Sequence, residues 1–305
     1  MAKFTRDIER NRSSFKPGAF ALTNTIRLLL ILASLTVLFP LAWYFYNSFK
    51  SSADYMANRW AFPTLWHPEN FLSAIQNTVL HDYEGNAVGI VKLLANTLFT
   101  SLLGSFLLVI FCSSTSFILC KYSFPGKGFF KAFFMMAMVI PSILLIVPLY
   151  TQLISISPWF SNNLIVVAVI YACQSMPVQV FLLTRFLNKI DDALLEAARL
   201  DGANEFTIYF RIILPTVKPI LTFIALTSFM GNFNEYTVAL LFLQDPATYT
   251  LSIGLQQMQI QGATYGEYGM VFAGFFMTTA IMVVLYAIFQ KQILQGVNMG
   301  DAVKG

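Results

Sequence analysis

Long apolar stretches separated by short polar ones organise this chain. No Asp, Glu, Lys or Arg occurs in residues 28–49, 93–120, 132–184 or 268–290. A helix that crosses a bilayer needs about 20 apolar residues, because hydrocarbon offers its backbone no hydrogen-bond partner. The 132–184 stretch is too long for one such helix. It divides at 155–163 ("SISPWFSNN"), where Pro158, Asn162 and Asn163 are turn formers. Residues 219–243 make a further span, interrupted only by Glu235. The pattern predicts an all-α polytopic membrane protein with six transmembrane helices, over about 24–49, 94–120, 132–154, 164–186, 219–243 and 268–290.

Composition agrees: 57% of residues are hydrophobic and 30 are phenylalanine, well above soluble usage. The distribution of Lys and Arg then sets orientation. Five basic residues fall in the first 23 (Lys3, Arg6, Arg10, Arg12, Lys16), and Lys121, Lys127 and Lys131 sit in 121–131 without an acid. The 155–163 and 244–267 loops have none, and the long 50–92 loop has Arg59, with Lys50 and Lys92 at its edges. Both termini are therefore expected on the cytoplasmic side, leaving a cytoplasmic segment 1–23, a membrane domain 24–290 and a cytoplasmic tail 291–305. The first 23 residues are too charged, and the run after them too long, for a cleaved signal peptide. Cys112, Cys120 and Cys173 lie inside spans and read as packing residues. His67 and His81 stand apart from any Cys or cluster of acids, so no metal site is expected. The sequence contains neither a P-loop nor a Ser/His/Asp arrangement.

Charge is scarce, 34 residues in all, yet ten lie between Arg185 and Lys218. Five are basic (Arg185, Lys189, Arg199, Arg211, Lys218) and five acidic (Asp191, Asp192, Glu196, Asp201, Glu205). Asp191 and Asp192 suit the first turn of a helix, where acids complement the dipole. Leu194, Leu195, Ala198 and Leu200 continue it, and Gly202 ends it. A second short helix, Asn204 to Ile213, is expected to stop before Pro215. Such a helix–turn–helix could lie on lipid headgroups as an amphipathic connector. Its balanced charge and its small residues (Ala197, Ala198, Gly202, Ala203) point instead to docking against another protein.

The segment reads Glu196-Ala197-Ala198, three residues, Gly202, nine residues, Ile212, one residue, Leu214-Pro215. This spacing resembles the EAA loop of ABC-importer permeases. "EAARLDGA" (196–203) is similar to the form found in the carbohydrate, maltose-type subgroup. "CKYSFPGKGFF" (120–130) resembles the cytoplasmic turn after the second span of that subgroup, and "GVNMGDAVKG" (296–305) its ending. The resemblance implies a permease subunit in a bacterial plasma membrane, with the loop 187–218 as the coupling helix for a separate cytoplasmic ATPase dimer. It implies ATP and Mg used by that ATPase and no cofactor bound here. It also implies a second, homologous permease in a heterodimer, an extracytoplasmic sugar-binding protein and a carbohydrate substrate, with no nucleic acid. By position, Glu196 would pair with a basic group on the ATPase, Ala197 and Ala198 would let the helix seat closely, and Gly202 would permit its turn. Ile212 belongs to the same motif, and Leu214 and Pro215 would fix the return to the membrane.

Two polar stripes cross the apolar spans. Ser228, Asn232 and Glu235 fall at i, i+4 and i+7, and Tyr171, Ser175 and Gln179 at i, i+4 and i+8. An ionisable residue within a span is a functional candidate by default, but Asn and Glu there also lock helices together. Both uses remain open. Hydroxyls and amides beside aromatic rings suit a neutral, hydroxyl-rich solute better than an ion. Outside, Trp60, Trp66 and Tyr83 and the glutamines 256, 257, 259 and 261 belong to loops that the resemblance brings to the sugar-binding protein. The two tryptophans also fit interfacial anchors. A rival reading is a secondary transporter driven by an ion gradient through Glu235. It would need internal repeats or broken helices, and the sequence shows no convincing repeat.

Overall fold

The computed structural model describes residues 17–76 and 80–301, with side chains described for 22–76 and 80–292. The basic residues Lys3, Arg6, Arg10, Arg12 and Lys16 and the last four residues of the 296–305 ending lie outside the described residues. In chain order come α1 (Pro17–Asn47), α2 (Ser52–Ala57), α3 (Glu69–Gln76) and α4 (Ile90–Lys121). Then follow α5 (Lys127–Val139), α6 (Ile143–Ile156), α7 (Leu164–Leu187), α8 (Asp192–Leu200) and α9 (Glu205–Ile208). A π-helical turn, Tyr209–Ile213, leads into α10 (Leu214–Phe233), before α11 (Thr237–Phe242), α12 (Leu251–Tyr265) and α13 (Tyr268–Asp301). Five helical stretches are long and apolar enough to cross a membrane, or six crossings if the bent pair α5–α6 counts as one.

The centre of the bundle is α4, which packs against α7 and α10. Its 32 residues are apolar overall, yet one face carries Thr97, Ser101, Gly104, Ser105 and Leu108, all buried. Small side chains at helical spacing let neighbouring backbones approach, which in a bilayer is the main source of helix association. The hydroxyls do not strain the helix, because Thr97 and Thr100 donate back to the carbonyls of Leu93 (2.8 Å) and Asn96 (3.0 Å). At Gly104 an added Cβ would lie 3.0 Å from the Ala168 carbonyl oxygen of α7 and 3.0 Å from the Asn232 amide of α10. All three helices meet there.

Helix α1 contributes little to this core. The 18-residue apolar window that marks it as a span has none of its residues buried. Its far end is held by Trp43, edge-on to Phe272 (5.0 Å), and by Tyr44, stacked on Phe275 (5.7 Å) of α13. The following loop folds back over that end: Trp60 stacks on Phe39 at 6.3 Å, and the buried Lys50 ammonium donates to the Asn58 carbonyl at 3.0 Å. At the same end, Asn162, in a left-handed conformation (φ 52°), accepts from the backbone N–H groups of Gln244 (2.6 Å) and Asp245 (2.8 Å) through one side-chain oxygen. Its own N–H donates to the Phe242 carbonyl at 2.8 Å.

The structure corrects the sequence-based expectations in five places. The third, 132–154, is two helices bent by 106°. Pro141 has no N–H to continue the ladder and forces Ile140 into an extended conformation (ψ 119°). The fifth, 219–243, ends instead at Phe233 and begins much earlier, because the helix runs unbroken from Glu205 through the π-helical turn. A second short helix ending before Pro215 is therefore not found. The wider turn accommodates the missing donor and bulky ring of Pro215 without a break. Much of the 244–267 stretch, expected as a loop, is the helix α12. Cys173, expected to pack inside, is exposed.

Gly104→Leu is expected to push α4 away from α7 and α10 and to destabilise the bundle by about 1–3 kcal/mol, as overpacking does. Gly104→Ala should cost less. The melting temperature of the purified protein in detergent measures both.

Candidate functional site

Helix α7 supplies Tyr171, Gln174, Ser175 and Gln179, and α10 supplies Thr227, Ser228, Gly231 and Asn232, to a cleft of about 220 Å³ that also takes Glu235. All six path residues expected from the sequence thus converge. Gln174, Thr227 and Gly231 were missed, although each lies within a turn of an expected residue. Pro177 sits inside α7 and removes one rung of its ladder beside the cleft.

Hydrogen bonding divides the six. Ser228 and Asn232 are buried, and the Asn232 amide donates to Ser105 and to Ser228 at 3.4 Å each, while Ser105 donates to Ser228 at 3.3 Å. This small network ties α10 to α4. Glu235 does not continue the helical stripe, because α10 stops at Phe233 with Asn234 as its cap. Its carboxylate instead accepts from the N–H groups of Val238 (2.9 Å) and Ala239 (3.2 Å), at the open end of α11. An acid suits that position, since unpaired donors and the helix dipole both favour negative charge there. On the α7 side the Tyr171 hydroxyl lies beside Glu235, and both that hydroxyl and the Gln179 side-chain oxygen are buried. Ser175 is half-buried between them in sequence. The α7 wall therefore contains buried polar atoms without a hydrogen-bond partner among the described residues, and the α10 wall is largely satisfied by the protein itself.

The second feature is the helical hairpin at the other end of α7. Asp191 caps α8 by accepting from the Ala193 N–H at 3.0 Å, and Leu195, 1% exposed, anchors it to the core. Glu196 and Ala197 are exposed and Ala198 half-buried. The end of α8 explains the spacing of the motif. Gly202 donates to the Arg199 carbonyl (3.0 Å) and Ala203 to that of Ala198 (3.0 Å), with Gly202 at φ +82°. This is the Schellman termination, which needs a left-handed residue four positions after the third-last helical residue. A Cβ at Gly202 would meet nothing within 4 Å, so glycine is required there for its backbone and not for room. Asn204 then caps α9 through the Thr207 N–H at 2.8 Å. Ile212 and Leu214 are half-buried beside the buried Ile213, and Pro215 is exposed.

Two acids of the hairpin are paired. Arg199 donates to Glu205 at 2.8 Å and Lys121 to Asp192 at 2.6 Å. The Arg199 guanidinium and then the Tyr122 hydroxyl hold the Glu205 carboxyl below its usual range, and Lys121 does the same for Asp192. Burial, with Glu205 beside it, pushes the Tyr122 phenol up to about 12.

A bundle of membrane-crossing helices with a polar cleft inside and an exposed helical hairpin at one end is the architecture of a transport subunit. Residues 113–293 match the family model described as binding-protein-dependent transport system inner membrane component, and the chain belongs to that family. It is 30% identical over 289 residues to the melibiose/raffinose/stachyose import permease protein MelC of Bacillus subtilis, covering 93% of this chain and 99% of that protein. It is 29% identical over 276 residues to the probable ABC transporter permease protein YurM of the same organism, covering 90% and 87%. The fold is shared with a chain of a bacterial ABC transporter involved in the import of the acidic polysaccharide alginate. The TM-score is 0.73 and the identity 22%, with 91% of this chain and 98% of that one covered. The protein is thus a multi-pass plasma-membrane permease subunit.

Gly202→Ala is expected to lower stability by about 1 kcal/mol through its left-handed backbone alone, without a clash, and a thermal melt measures it. Glu235→Gln keeps an acceptor for α11 and should assemble nearly normally. Glu235→Leu leaves two backbone donors bare and should cost about 1–2 kcal/mol, seen as a lower yield of folded protein.

Proposed function

We propose that this chain is one permease of a heterodimer that imports an oligosaccharide, driven by a separate cytoplasmic ATPase dimer and supplied by an extracytoplasmic sugar-binding protein. The observation that carries the reading is the cleft. Its uncharged part consists of hydroxyls and amides, from Tyr171, Ser175, Thr227 and Ser228 and from Gln174, Gln179 and Asn232. Sugar hydroxyls, which both donate and accept, match such groups. Relatives with oligosaccharide names support the same class, MelC among them. Within this reading Glu196, Ala197 and Ala198 form the face of α8 that docks into the ATPase. Gly202 shapes its end, and Ile212, Leu214 and Pro215 carry it back to the membrane. ATP and Mg act on the ATPase. The basic segments, and with them both termini, lie on the cytoplasmic side.

The gradient-driven alternative needs Glu235 free to exchange a proton or cation. Broken helices, which such transporters use, do occur in this fold. The Glu235 carboxylate is nevertheless engaged with two backbone donors of α11, and the alternative is not favoured.

The purified chain alone should show no ATP turnover. Reconstituted with its partner permease, ATPase and binding protein, it should take up sugar in proportion to ATP and independently of an imposed proton gradient. Uptake that followed the gradient and ignored ATP would overturn the importer reading. Glu196→Lys should lose the ATPase during purification while the chain still inserts. Normal co-purification and transport would remove the docking role from α8.

A further inference from the structure

We infer that the turn 120–131 is a latch that sets the position of the docking helix α8, with Lys121 and Tyr122 as its positioning residues; this rests on the reading of α8 as the ATPase-docking helix. The stretch "CKYSFPGKGFF" stands out in the sequence, but nothing in the polar cleft or on the exposed face of α8 uses it.

The geometry is a two-point attachment. Lys121 is the last residue of α4, and its side chain is only 5% exposed. Its ammonium donates to the Ile190 carbonyl at 2.6 Å and to the Asp192 carboxylate at 2.6 Å, which fixes the chain as it enters α8. The next residue, Tyr122, donates its hydroxyl to Glu205, the first residue after the turn that closes α8. Glu205 also accepts from Arg199 of α8 itself at 2.8 Å. The two contacts therefore bracket α8, one before it and one after it.

Further contacts stiffen the latch. Lys127 reaches back to the Tyr122 carbonyl at 2.7 Å, across a turn that Gly126 closes at φ +85°. The Tyr122 ring lies edge-on to Phe117 of α4 at 5.4 Å. Behind it, the Tyr209 hydroxyl of the π-helical turn pairs with Ser113 of α4 at 2.7 Å.

The consequence is mechanical. By covalent connection α8 belongs only to α7 and, through α9 and the π-helical turn, to α10, with short joints at 188–191 and 201–204. Leu195 is its sole buried residue, with the half-buried Ala198 packed against the same core, so the joints and those two small contacts would let it pivot. The latch adds α4, which is the helix packed against both walls of the cleft. A push on α8 then reaches all three core helices as one body.

The test uses the full complex of both permeases, ATPase and binding protein in proteoliposomes. Its readouts are sugar taken up per ATP hydrolysed and ATPase retained on purification. Neutral variants are chosen because a Lys121–Asp192 charge swap would set both new charges against the helix dipoles. Lys121→Met, Asp192→Asn, Tyr122→Phe and Glu205→Gln should each keep the ATPase bound yet lower uptake per ATP by about three- to tenfold. Lys121→Met with Asp192→Asn, and Tyr122→Phe with Glu205→Gln, should be no worse than the poorer single variant of each pair, as groups acting together behave. Tyr122→Phe removes one oxygen only, so it decides the matter should Lys121→Met fold poorly. A role confined to folding would lower the amount of complex and leave uptake per ATP at the parental value. That result, or fully additive double variants, overturns the latch. Parental complex without ATP-driven uptake would instead overturn the transporter reading, and the latch with it.

Discussion

The close approach of α4 to its two neighbours is the contact on which the remainder of the fold rests. In lipid, burying a leucine against another helix gains little over burying it in acyl chains. What distinguishes one packing from another is how near the backbones come and which polar groups find partners. Gly104 and the serines and threonines around it supply both. They admit both α7 and α10 to one helix, and the cleft is lined by residues of those two helices together with Glu235. The Ser105–Ser228–Asn232 network closes the inner edge of that space. Polar residues here thus have two employments, one holding the walls together and one facing the gap.

Much of this was legible in the chain. The limits of α4 and the end of α7 follow the charge-free runs to within a few residues, because charge cannot remain in hydrocarbon and so marks where a helix leaves it. The start of α7 follows the turn formers Asn162 and Asn163. The hairpin was legible for a different reason: its spacing records the hydrogen bonds of a helix end. Ala198 and Gly202 stand four apart because the Schellman termination sets that distance.

What escaped was whatever depends on the backbone and not on hydropathy. Ile140-Pro141-Ser142 is apolar enough to pass for mid-span, yet the chain turns sharply there. Glu235 looked like a charge buried within a helix, whereas the helix had already ended and the carboxylate serves the next one. Helix α12 hid behind its glutamines, although Leu251, Leu255, Met258 and Gly262 mark one buried face at helical intervals. The division between Asn232 and Tyr171 could not be read from spacing at all. It depends on Ser105, more than a hundred residues away in the chain.

Asn162 carries a consequence of its own. A single amide oxygen gathers two donors from the 244–245 backbone, and its own N–H returns a third bond to Phe242. Two surface loops, far apart in sequence, are therefore closed by one residue. Neither can loosen while the other stays ordered, so their opening is a single cooperative event with a shared free energy. Amide protons in the two loops should then exchange with solvent at matched rates, as though the loops formed one continuous segment.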